Sequence, residues 1–120
     1  MSIQIVRTYL LSKPGAVEER PFDPDTPVFK VMGKVFALTS PDTAPPRVTL
    51  KLDPLHGQMV RTTYAAVTPG YHMNKTHWNT VALDDNVSLD VVKEWIDESY
   101  ELVVAGLSAA AQRQLADQAR

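Results

Sequence analysis

The stretch Arg47–Leu52, RVTLKL, alternates without a break, with Val48, Leu50 and Leu52 on one side and Thr49 and Lys51 on the other. A period of two over six residues marks a half-buried antiparallel strand. Such a strand needs a second layer over its apolar side. Downstream, Ser88 opens a run in which Val91, Val92, Trp95, Ile96, Tyr100, Leu102 and Val103 recur at helical spacing. Glu94, Asp97, Glu98 and Glu101 fall on the outer face of that helix of about four turns. One strand that must be covered and one helix able to cover it set the terms for the rest of the chain.

The other segments fit around this pair. Ser2–Ser12 reads as a first helix, with Ile3, Val6, Tyr9 and Leu10 at helical spacing, Ser2 as cap and Pro14-Gly15 as terminator. Ala16–Pro27 carries three prolines and predicts a short edge strand followed by a loop. Val28–Thr39 predicts a β-hairpin turning at Met32-Gly33-Lys34, where Gly33 supplies the positive φ. Asp53 and Pro54 predict the cap and first position of a short helix to about Tyr64, with Leu55, Met59 and Val60 inward. Ala65–Pro69 leads into a polar segment that Thr80–Leu83 closes as a strand. Gly106 ends the main helix, and Ser108 caps a last, lightly packed one over Ala109–Ala119. The fold class is therefore α+β: a layer sandwich in which an antiparallel sheet is covered by N-terminal and C-terminal helices. The expected organisation is a single domain over residues 1–107 with a C-terminal helical extension at 108–120.

A chain of 120 residues is one domain by size. Without cysteine, it has no disulfide, thiol nucleophile or cysteine-ligated metal. The start, MSIQIVRTYLL, has no cleavage pattern of a signal peptide, and no run is long enough to span a membrane. A cytoplasmic location is the expectation. The net charge of −2 argues against strong non-specific nucleic-acid binding by the chain as a whole. The charge is nonetheless uneven, because residues 1–83 hold 9 Lys/Arg against 6 Asp/Glu while 84–120 hold 3 against 8.

The densest chemistry lies in Pro69–Val81, PGYHMNKTHWNTV. Aromatic rings can stack on bases, asparagine can read adenine and lysine can neutralise phosphate. Tyr71, His72, Asn74, Lys75, His77, Trp78 and Asn79 interleave these types over nine residues, and Lys30, Lys34, Arg47 and Lys51 can add charge from the strands. The structural alternative has Tyr71 and Trp78 anchoring the loop while Asn74 and Asn79 satisfy its backbone. Together with LLSKPGAVEERPF (Leu10–Phe22) and VFKVMGKVFAL (Val28–Leu38), this segment closely resembles the MmcQ/YjbR family of small bacterial proteins. The resemblance runs from about Tyr9 to Leu107. It implies a frataxin-like α+β fold and the DNA-binding role discussed for that family as a "double-wing" module.

Other chemistry finds little support. His72 and His77 stand five apart, off the helical spacing of a zinc pair, with no third ligand nearby. No serine sits in a nucleophile elbow, and the five glycines form no phosphate loop. Frataxin-type iron binding uses acidic groups on the first helix and strand, whereas Ser2–Ser12 has none. The expectation is a protein without catalytic residues, metal or cofactor. Its leading function is DNA binding through Tyr71–Asn79, and its alternative is a small-ligand or protein-interaction module using the same loop.

Overall fold

The computed structural model describes residues 1–70 and 73–118. Among these, the first helix α1 (Ile3–Leu11) is capped by Ser2, whose hydroxyl accepts from the Gln4 N–H. Strand β1 (Ala16–Glu19) follows, then β2 (Val28–Val31) and β3 (Lys34–Ser40). The β2–β3 turn has positive φ at both Met32 and Gly33, the primed geometry that matches the twist of a two-residue hairpin. Strand β4 (Arg47–Lys51) leads to helix α2 (Pro54–Thr63), where Asp53 accepts from the Leu55 and His56 N–H groups. Strands β5 (Val67–Pro69) and β6 (Trp78–Ala82) precede the long helix α3 (Leu89–Ala105) and the last helix α4 (Ala109–Gln118).

The strands form one antiparallel sheet in the order β1-β2-β3-β4-β6-β5. Its core face carries Phe29, Val31, Ala37, Val48, Leu50, Val67 and Val81. Val6 and Leu10 of α1, Val60 of α2, Val92, Trp95 and Ile96 of α3, and Leu115 of α4 pack in the same cluster. Each helix thus contributes to one side of the sheet. Directly paired residues of antiparallel strands point the same way, so register assigns the opposite side. Lys30, Leu38, Ser40, Arg47, Thr49, Lys51 and Thr80 alternate with the core residues and face away from the helices.

A bulge in β3 inserts one residue opposite the Phe29–Lys30 step, so Phe36 and Ala37 are both buried in succession. The Phe36 ring meets Tyr100 of α3 edge-on, with centroids 5.3 Å apart. There α3 is also fastened by polar contacts. The buried Ser99 hydroxyl donates to the Phe36 carbonyl and accepts from the Lys51 N–H, at 2.6 and 2.8 Å.

The structure departs from expectation at α2, at the start of β6, and at Val67–Pro69, which forms strand β5 where the sequence predicts only a lead into the polar segment. Leu55 and Met59 of α2 are exposed, at 71% and 67%, and the inward positions are Gly57 and Val60. A Cβ at Gly57 would stand 3.1 Å from the Asn79 amide nitrogen, so the helix approaches the sheet along its smallest residue. An apolar pattern gives glycine no weight, so spacing alone favours the larger Leu55 and Met59 for the inward face. The strand expected at Thr80 begins at Trp78, which takes the end of the polar segment into the sheet.

Helix α4 is attached by little apolar burial, since Leu115 is its buried residue. Leu115 sits over Gly15, where φ is +74° and an added Cβ would come 2.6 Å from the leucine Cδ1. Gly15→Ala combines left-handed strain with a shifted Leu115 side chain and should cost at least about 1–2 kcal/mol, or roughly 4–8 °C in thermal midpoint. Gly33→Ala has comparable φ and nothing within 4 Å, so it reports strain alone. Equal losses in the two variants would show that Leu115 adds nothing at Gly15.

Candidate functional site

The side of the sheet that no helix covers, among the described residues, is built from the polar half of the strand alternation. Thr49 and Thr80 lie opposite each other at its centre, with their hydroxyls 3.0 Å apart. Arg47 and Lys51 leave the same strand on the same side, two residues either way from Thr49. At 3.3 Å per residue they are separated by about 13 Å along β4. Neither has a carboxylate within ion-pairing distance among the described residues. Lys30 shares the face, but its ammonium pairs with Glu19 at 2.8 Å. Lys34 is exposed at the hairpin and pairs with Val31, which places it on the helix side.

Three adjoining depressions run across this face. One of about 200 Å³ is bordered by Thr26, Leu38, Ser40, Arg47, Thr49, Met73 and Thr80. A second, about 330 Å³, shares Thr26, Leu38 and Met73 and extends to Phe22 and Asp23. A third, about 420 Å³, continues from Arg47 and Thr80 towards Thr68 and Asn86. The polar segment between β5 and β6 therefore reaches this face at Met73.

The residues of that segment separate into two roles. Tyr71 and His72 lie outside the described residues. Asn74 and Lys75 are exposed, and Asn74 organises the turn by accepting from the Thr76 N–H at its side chain and the Trp78 N–H at its carbonyl. His77 is half-buried, and its carbonyl accepts from the Leu52 N–H. Trp78, opposite Lys51, is 8% exposed and offers no free ring face for stacking. Asn79 is fully buried on the helix side, where its carbonyl oxygen accepts from Arg61 and its amide donates to the His77 carbonyl. Asn79 is thus turned to the helix side, away from the open face, whereas Trp78 lies on the open side by register and is almost wholly covered there.

Sequence reading missed Phe22, Thr26, Leu38, Met73, Thr49 and Thr80 as lining residues. The available signal was an aromatic, Phe22, stranded among Pro21, Asp23 and Pro24, where neither helix nor strand can bury it.

The family model described as YjbR matches residues 11–102. The chain belongs to the YjbR family. The uncharacterized protein YbdF of Escherichia coli O157:H7 is 38% identical over 95 residues, which cover 79% of this chain and 78% of YbdF. The uncharacterized protein YjbR of Escherichia coli K12 is 32% identical over 104 residues, 87% of this chain and 88% of that one. Among solved structures, Deinococcus radiodurans DR2400, a DUF419 domain, superposes with a TM-score of 0.90 at 36% identity, covering 96% of this chain and 88% of its own. A Pseudomonas syringae protein gives a TM-score of 0.73 at 26% identity, covering 85% and 98%. The α+β architecture is thus common to this YjbR-family chain and its solved relatives.

At the α1–α3 seam the Tyr9 hydroxyl donates to Asp97 at 2.6 Å, and Lys13 pairs with the same carboxylate beneath the Tyr9 ring. Burial works to lower the Lys13 ammonium, but bonding to Asp97 raises it and the net is upward. Burial likewise works to raise Asp97, and the hydrogen bonds from Lys13 and Tyr9 outweigh it, leaving its carboxyl below the usual range. Both shifts favour the charged forms, whereas an activated lysine nucleophile needs the reverse. No helix is long and apolar enough to cross a membrane among the described residues.

Proposed function

We propose that this YjbR-family protein is a cytoplasmic nucleic-acid-binding module without a catalytic step, and that the helix-free sheet face is its contact surface. The observation that carries this reading is the pair Arg47 and Lys51. They stand on one strand, on one open side, with no carboxylate partner among the described residues and hydroxyls of Thr49 and Thr80 between them. A separation of about 13 Å spans roughly four nucleotide steps of a duplex at 3.4 Å per step. The exposed Lys75 extends the charge along the loop whose Met73 borders the same face. Hydroxyls and guanidinium groups at this spacing suit phosphate and sugar contacts, which fix position and carry little sequence information. Binding should be weak, in the range of non-specific association.

Titration of labelled duplex DNA at roughly 50 and 200 mM salt tests the reading. The wild-type chain should bind less tightly at the higher salt. The Arg47→Ala, Lys51→Ala double variant should lose at least about tenfold in affinity and flatten the logarithmic salt slope by about 2, one per cation removed. Duplex affinity unchanged by the double variant would remove the sheet face from the interaction, and a Lys75→Ala, His77→Ala variant then asks whether the loop alone binds.

A further inference from the structure

We propose that the depression between Phe22, Leu38 and Met73 receives one unpaired base of a single-stranded nucleic acid whose backbone passes over Arg47. This inference rests on the nucleic-acid reading above and specifies the form of the ligand. Phe22 is 72% exposed, the largest fractional exposure among the exposed large hydrophobics of the described residues. Its position is braced, because the neighbouring Asp23 carboxylate accepts from the Asp25 N–H and the Thr26 hydroxyl in a tight turn. The ring is therefore presented on an ordered turn at the border of the sheet face, opposite Leu38 of β3 and Met73 of the β5–β6 segment. The space they bound, about 330 Å³, falls within the size range of small-molecule sites.

The chemistry around that space has a direction. Its walls are apolar where a base would lie flat against Phe22. Asp23 borders one end, and its carboxylate, held by bonds within its own turn, disfavours phosphate there. At the other, through the shared wall of Thr26, Leu38 and Met73, the adjoining depression leads to Arg47. An occupant with a flat aromatic part towards Asp23 and an anionic part towards Arg47 is a nucleotide. Bases in a duplex have their faces stacked on one another, so only an unpaired or extruded base can enter.

The test is fluorescence anisotropy with a labelled single strand of about 12 nucleotides and a duplex of the same sequence, both at low salt. The single strand should bind about tenfold or more tighter than the duplex. Phe22→Ala should weaken single-strand binding by roughly five- to a hundredfold, the range for loss of one stacked base, and leave duplex binding unchanged. Because the ring is exposed, the variant's thermal midpoint should match wild type, which separates a lost contact from a lost fold. Equal affinity for the two forms, or a Phe22→Ala variant that binds the single strand as wild type does, overturns the base pocket and leaves the broader reading to the Arg47 and Lys51 variants. Absence of salt-dependent binding to either form overturns both.

Discussion

Ser99→Ala should be among the most damaging single-atom deletions available in this domain, with an expected loss of about 2–4 kcal/mol. The hydroxyl is buried, and it serves two main-chain groups of different strands, the Phe36 carbonyl in β3 and the Lys51 N–H in β4. The bulge at Phe36 is why such service is needed. Where β3 carries its extra residue, regular pairing with β4 starts only at Ala37 and Leu50, so these two groups lack ladder partners. Alanine leaves both without a bond in an apolar layer, and each orphaned group costs about 1–3 kcal/mol. In a chain of this length the thermal midpoint should fall by roughly 8–16 °C. Hydrogen exchange gives the local readout, with the Lys51 amide exchanging faster in the variant. A loss under about 1 kcal/mol with that amide still protected would mean that water or a strand shift replaces the hydroxyl.

Asn79→Leu is the second large effect, expected at about 2–3 kcal/mol. The substitution keeps the size of the side chain but removes an acceptor from the Arg61 guanidinium and a donor to the His77 carbonyl. Arg61 lies one turn beyond Gly57 on α2, so the lost bond loosens the helix where it comes nearest the sheet. A double-mutant cycle with Arg61→Met isolates the pair. The two losses should be clearly less than additive, because either change alone breaks the same bond. Strict additivity would show that Arg61 and Asn79 act independently.

Much of the architecture was legible in the chain, for reasons that differ by element. The alternation at Arg47–Leu52 and the stripe of α3 are long, regular patterns, and both appear where the periodicity puts them. Ser2, Asp53 and Ser108 were readable as caps because a short polar side chain before a helical run has a specific backbone bond to make. The inward face of α2 was not legible, since contact through a glycine leaves no hydrophobic mark. The candidate surface was legible only in part. Arg47 and Lys51 were identified from charge, and the register brings them to one side. Phe22 and Met73 are distant in sequence, and nothing local announces that two loops converge over Leu38. Trp78 and Asn79 drew attention as binding types, yet residue type alone does not distinguish a side chain that holds a loop from one that greets a ligand.

The two outermost strands have a further consequence, for self-association. β5 is three residues long and ends in Pro69, which has no N–H to offer an incoming strand. β1, at the other border, is four residues long and carries Glu18 and Glu19. Short borders broken by proline or like charges are poor templates for intermolecular sheet growth. Among the described residues the sheet is therefore bounded by short rims, which offer an incoming strand little main chain to pair with even though one broad face stays open.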